Sequence, residues 1–258
     1  MANWVIKSAD HYLSLLYDML HELMYKNHII HADKTPVKVM RIDNNKIKNG
    51  KKTYMLVYRN RPTKKTRPIV LFDWQPSRKA DHPRDFLKNF SGTVITDGYK
   101  VYHKLGRERD DHLTIGGCWI HARRPFVDFI KSLKGATHGT IGKALAYSIH
   151  QESYLRTFLN DGNVPMDNNY TEQAIRPFTI GRKNFVLIET SNGARTSAMI
   201  YSIVETAKAN YLNVYQYFEL LLTEIPKHMN DTDLKFIDEL LPWAPHVQET
   251  CPSRFKRS

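Results

Sequence analysis

The sequence predicts an α/β fold, a mixed sheet flanked by helices with helical elements at both ends, and three observations predict it. Three strand-like runs follow one another with only short polar links between them. Two further apolar runs each lead into a helical pattern. Amphipathic stretches of helical period precede and follow the set. At 258 residues the chain is long enough to bury a substantial core.

Taken in order, residues 8–26 place Leu13, Leu16, Tyr17, Leu20, Leu23 and Met24 on the three-four spacing of an amphipathic helix. His28–Asp33 is a strand-like run that continues past Pro36 through Val37–Ile42. Asp43–Lys52, with Asn44, Asn45, Asn49 and Gly50, is a polar turn, and Thr53–Tyr58 is a second strand. A basic connection over 59–67 leads to the third strand, Pro68–Phe72; links this short make an antiparallel meander. His82–Phe90 reads as a short helix, Thr93–Tyr99 as a buried strand ending in a turn, and 99–105 as helical. The apolar stretch Thr114–Ile120 passes through His121–Arg124 into a helix over 125–133. Residues 134–142, rich in Gly and Thr, form a loop, and 143–159 is amphipathic again.

The stretch Pro165–Pro177 opens on Asp167 as a helix cap. It ends at Pro177, which lacks an N–H and pushes Arg176 out of the helical region. Helices follow at 195–209 and 214–223, the second capped by Asn213. Leu240–Trp243 lies in a tail that ends basic at Arg254, Lys256 and Arg257. This order matches the ribonuclease H-like arrangement. It divides into a helical lead-in over 1–27, the sheet domain over 28–225 and a small C-terminal element over 226–258.

Lys and Arg number 38 against 26 acidic residues, a net charge of +12. A polyanionic partner follows, nucleic acid ahead of a membrane surface; a basic but unspecific surface is the other reading. Two distant cysteines, Cys118 and Cys251, exclude a disulfide scaffold and point to a reducing cytoplasm. The N-terminus has no long apolar run, so neither a signal peptide nor a membrane span is expected.

Asp33 and Asp97 sit where strands end, and a carboxylate there is costly unless it is paired or holds a metal. Glu172, on the helix after Asp167, is a third. In a ribonuclease H-like sheet the first and fourth strands are neighbours and a later helix crosses their ends. Three converging carboxylates there suit one or two Mg²⁺ ions. Blander readings stand beside this. Asp33 fixes a turn before Pro36, Asp97-Gly98 is a turn dipeptide, and Glu172 pairs with Arg176 four residues on. Asp73 is a rival strand carboxylate, ranked lower because the third strand of such a sheet does not reach the metal site. Arg59, Arg61, Lys64, Lys65 and Arg67 read as a solvated loop or a DNA contact. Cys118 and His121 are half a zinc site or a strand end.

His31-Ala32-Asp33-Lys34-Thr35-Pro36, Thr96-Asp97-Gly98-Tyr99, Gly117-Cys118-Trp119-Ile120-His121-Ala122-Arg123-Arg124 and Asp167-Asn168-Asn169 through Lys183-Asn184 together resemble the insertion sequence 66 transposase family. Leu240-Leu241-Pro242-Trp243 resembles the small C-terminal element of those proteins. The resemblance implies a DDE-type triad of Asp33, Asp97 and Glu172 as catalytic residues and metal ligands. Two Mg²⁺ or Mn²⁺ ions are expected with it. It implies phosphodiester hydrolysis at transposon ends and attack by the freed 3′ hydroxyl on target DNA. The partners it implies are double-stranded DNA, a second copy of the chain in an active homo-oligomer, and accessory proteins of the same element. Arg176, Arg182 and Lys183 would hold phosphates, with Arg123 and Arg124 beside them. Asn168 and Asn169 would donate to DNA or cap the glutamate helix.

Three features depart from the family pattern. Position 34 is Lys where relatives usually carry Glu, and strand alternation points it away from Asp33. The path from Arg124 to Asp167 is internally shortened, with Leu133-Lys134-Gly135 running almost directly into Gly142-Lys143-Ala144-Leu145. The chain also starts after the DNA-binding region with which relatives usually begin. A catalytically inactive DNA-binding remnant and a general metal-dependent nuclease are the alternative readings.

Overall fold

A computed structural model describes residues 3–42, 45–131, 139–231 and 233–253. Helix α1 (Asn3–Ser8) passes through a π-helical turn at Ala9–Leu13 into α2 (Ser14–Met24), which buries Leu16, Leu20 and Met24. Strand β1 (Ile29–Ile42) then pairs antiparallel with β2 (Asn45–Asn60), and β2 with β3 (Val70–Gln75). Helix α3 (Asp81–Phe86), β4 (Gly92–Thr96), α4 (Lys100–Glu108), β5 (Leu113–Gly117) and α5 (Trp119–Lys131) follow, and then α6 (Gly139–Leu155). Beyond them lie α7 (Asn169–Phe185), β6 (Ile188–Thr190), α8 (Ser191–Ala209), α9 (Val214–Glu224), α10 (Phe236–Glu239) and α11 (Pro245–Thr250).

The sheet order is β3-β2-β1-β4-β5, with β6 paired to the far end of β1. Strands β1, β4 and β5 run parallel, so antiparallel and parallel halves meet at β1, in the ribonuclease H-like order. Alternation sorts the side chains into two cores. Ile30, Ala32, Leu56, Tyr58 and Leu71 face α2, α9 and the C-terminal elements. Val37, Val39, Met55, Val57, Val70 and Phe72 face α7 and α8 through Ala174, Ile175, Phe178, Ala194 and Ala198. Among the described residues no helix is long and apolar enough to cross a membrane.

Four local expectations are corrected. Pro177 does not end its helix: α7 runs through it to Phe185, because Ala174, Ile175 and Phe178 on either side are buried against the sheet. Packing outweighs the one hydrogen bond that proline removes. Most of the polar turn is strand, since β2 begins at Asn45 and pairs back to Ile42 and Val39, with Gly50 at φ +69 beside the register shift. Asp43 and Asn44 lie outside the described residues. Helix α5 starts at Trp119, so His121–Arg124 are helical, and α6 already begins at Gly139. Residues 132–138, within the shortened join, and the basic tail 254–258 lie outside the described residues.

Candidate active site

Strand β1 pairs with β4 only over Ile29–His31, opposite Thr93–Ile95, and the two strands then part. Asp33 lies just past this fork on β1, and Asp97 follows the last residue of β4. Asp33 falls on the face shared by Val37 and Val39, the face that α7 covers. The turn after Asp97 needs glycine: Gly98 has φ +84, and a Cβ there would stand 2.7 Å from the Tyr147 hydroxyl. That hydroxyl donates to the Asp97 carbonyl at 2.9 Å, fixing the turn against α6.

Helix α7 is docked by its start. The side chain of Asn168 is fully buried; it donates to the Ala32 carbonyl at 3.0 Å, and its oxygen meets His31 Nδ1 at 3.0 Å. This link sets the first turn of α7 beside β1, two residues from Asp33. The buried Asn168 side chain thus docks α7 on β1 instead of capping the helix. The expected cap is displaced by one residue: Asn168 holds the N-cap position without a side-chain cap bond, and the Asp167 carboxylate before it accepts from Asn169 N at 2.9 Å, closing a turn at the helix entry. Arg182, expected on phosphate, commits Nη1 to Thr35 Oγ1 at 2.7 Å and to the Pro36 carbonyl. It closes the gap in the β1 edge between β4 and β6. Arg123, Arg124, Arg176 and Lys183 are exposed, and Asn169 is half-buried.

The three carboxylates come within electrostatic reach of one another. Burial pushes the Asp33 carboxyl up to about 6; the Lys34 N–H at 2.7 Å opposes this, and the charges of Asp97 and Glu172 add to it. Glu172 does not take Arg176 as its partner. Its Oε1 lies 3.5 Å from both His121 Nε2 and Arg124 Nη2, on the first turns of α5. Burial, followed by the Arg124 charge, lowers the His121 pKa, so that ring is neutral at neutral pH and Arg124 is the ionic partner.

Lys34 enters the site, against the expectation from alternation. Its Cβ does lie on the opposite face, where its ammonium sits 3.6 Å from the Tyr99 ring centre. Asp97, however, stands beyond β4 where the chain bends, and the lysine stem reaches it with Nζ 3.6 Å from Oδ2. Asp73 lies elsewhere: it pairs with Leu56, across the sheet from Asp33.

The donor set is all oxygen and crowded with like charge, which is what a hard divalent cation takes and relieves. As the side chains stand, no three His, Cys, Asp or Glu among the described residues are close enough to share an ion. Cys118 is buried between β5 and α5, with burial raising its thiol pKa. Sequence reading missed Lys34 and the His121–Arg124 pairing to Glu172. A helix start at Trp119 would have revealed the latter, since His121 and Arg124 are three apart on one face.

A family model described as "Transposase IS66 family" matches residues 1–140 and 132–196, two stretches that meet where the sequence is shortened. A second, "IS66 C-terminal element", matches 202–243. Among curated proteins, uncharacterized protein y4qI of Sinorhizobium fredii (strain NBRC 101917 / NGR234) is 25% identical over 94% of this chain and 55% of its own length. Uncharacterized protein y4jD of the same strain is 24% identical over 68% of this chain and 45% of its own length. The chain thus spans about half the length of the curated relatives it matches. A solved Drosophila P element transposase strand transfer complex matches 86% of this chain and 52% of that one at 13% identity. Its TM-score is 0.29, a level from which nothing structural follows.

Proposed function

From the premise that this chain belongs to the IS66 transposase family, we propose that it is the catalytic part of a DNA transposase, cutting and joining strands at transposon ends. The observation that supports the reading is that Asp33, on β1 just past its fork with β4, lies within electrostatic reach of both Asp97 and Glu172, which are far from it in sequence. These three would hold divalent ions, Mg²⁺ or Mn²⁺, once the side chains turn toward one another. Such ions activate an attacking oxygen and stabilise the leaving oxygen at phosphorus.

The chain's own groups do the rest. Arg124 balances the Glu172 charge and, being exposed, also reaches toward a phosphate. Arg123, Arg176 and Lys183 supply further exposed cations for the DNA backbone, and Asn169 a neutral donor. The neutral His121 ring orients Glu172 without cancelling its charge. The fully buried Asn168 keeps α7, and with it Glu172, in register with Asp33. The test is strand cleavage of DNA carrying the element's ends, in Mg²⁺ or Mn²⁺. Asp97→Ala is expected to abolish it, at least about a hundredfold for loss of a group acting on the reacting atoms. Unchanged cleavage would sink the proposal.

A second reading, an idle DNA-binding remnant, is favoured by Lys34, whose ammonium competes for Asp97 at 3.6 Å. Binding that falls steeply with salt, with no cleavage in any divalent ion, selects it.

A further inference from the structure

On the flank of α7, beside the turns that carry Glu172, lies a groove of about 660 Å³. The β2–β3 connection, the end of α8 and the C-terminal element form its other walls. Its main side chains are Arg59, Arg67, Tyr170, Gln173, Tyr211 and Trp243. The volume is that of a small-molecule site.

Its charge is positive and uncommitted. Asp167, in the groove lining, accepts the neutral Asn169 N–H at 2.9 Å and leaves the two arginines in excess by one charge, while Glu205 nearby pairs with Lys208 at 2.8 Å. Among the described residues neither Arg59 nor Arg67 has a carboxylate within ion-pair distance. Arg59 donates from Nη1 to the Tyr170 carbonyl at 2.9 Å and lies 4.8 Å from the Tyr170 ring centre. Its Nε is buried with no hydrogen-bond partner, an unmet donor beneath the lining to which Arg59 contributes.

Tyr211 is the second anomaly. It follows the last turn of α8 with φ +62, the left-handed position that glycine usually fills at a helix end. The backbone is held there by Tyr211 N to the Lys208 carbonyl at 3.1 Å and Ser253 N to the Tyr211 carbonyl at 2.9 Å. A tyrosine at such a site is strained, and its ring is not used for packing, being 53% exposed at the groove. A strained backbone presenting an exposed aromatic ring beside unpaired arginines fits a ligand that has both a flat face and an anion.

We propose that this groove is a nucleotide subsite, taking an unpaired nucleotide of the DNA strand with its base against Tyr211 and Trp243 and its phosphate on Arg59 and Arg67. A base within a duplex has both faces covered, so the aromatic walls select an unpaired one. The proposal rests on the reading that this chain binds DNA.

The test uses the whole chain without divalent metal, so that binding is read apart from cleavage. The probes are a blunt duplex and the same duplex with a short single-stranded overhang containing fluorescent 2-aminopurine. Wild type is expected to bind the overhang form at least about fivefold more tightly, the lower end of what one stacked base contributes, and to quench the probe. Tyr211→Gly relieves the backbone strain, so its unfolding midpoint should hold or rise while preference and quenching disappear. Tyr211→Asn, also tolerated in the left-handed region, serves the same purpose. Arg67→Glu, at an exposed position, should weaken overhang binding more than blunt binding. Equal affinity for the two probes, or a Tyr211→Gly protein that quenches like wild type, overturns the subsite while leaving metal-dependent cleavage as an independent readout of the catalytic reading. Failure to bind either probe overturns both.

Discussion

Asp33 and Asp73 are both strand carboxylates in apolar surroundings, and the face each side chain takes separates their chemistry. Asp73 points away from α7 and accepts from Gln75 Nε2 at 2.8 and 3.0 Å; burial pushes it up to about 7. The unfolded chain ionises such a group near ~3.9. Its contribution to stability is therefore complete below that pH and lost as pH rises through about 7. Asp73→Asn should remove a decline in the urea midpoint between roughly pH 4 and 7, and an unaltered slope would contradict the assignment. At this scale Asp97 was legible in the sequence, because a charge at the end of an apolar run stands out; Asp33, expected at a strand end too, lies inside β1, which runs on to Ile42. The approach of Lys34 to Asp97 was not legible. Alternation gives the direction of a Cβ, but neither the reach of a lysine stem nor the bend that turns Asp97 toward it.

Among the elements, α8 covers the open edge of the sheet. Ser202 Oγ accepts from Phe72 N at 2.7 Å, and Thr206 Oγ1 accepts from Val70 N at 3.0 Å while donating to the Val70 carbonyl at 2.9 Å. Two hydroxyls four apart on one helix thus stand in for a missing strand. Replacing them together, Ser202→Ala with Thr206→Val, strands buried backbone groups. It should cost at least about 3 kcal/mol, taking the lower end of roughly 1–3 for each of the Phe72 N–H, the Val70 N–H and the Val70 carbonyl. Urea unfolding measures it, and a loss below about 0.5 kcal/mol would mean the edge is satisfied otherwise. Strands β1 to β5 and most helices were legible because their apolar periods are regular, whereas the three-residue β6 is too short to show one. The course of α7 through Pro177 was not legible, since local rules end a helix at proline. The contacts of Ala174, Ile175 and Phe178 that carry it onward are long-range. Nor was the strand character of Asn45–Lys52, whose polar residues look like a turn until they are paired with β1.

Across the whole molecule, the β3-β2-β1-β4-β5 order turns three distant carboxylates into neighbours. Strand β1 is central in that order, so one fork serves Asp33 and Asp97, and α7 reaches the same point from the face it covers. The sequence motifs named the three carboxylates; only the fold shows that Lys34 stands beside Asp97 and that Asn168 docks the helix carrying Glu172. The central claim is that Asp33, Asp97 and Glu172 form a divalent-cation site that Lys34 opposes. The most direct measurement is a Mn²⁺ titration followed by electron paramagnetic resonance on wild type, Asp97→Asn and Lys34→Glu. The expected result is uptake by wild type, weaker by at least about tenfold in Asp97→Asn and tighter in Lys34→Glu, where a competing cation gives way to a fourth carboxylate. Uptake by Asp97→Asn equal to that of wild type would contradict the claim.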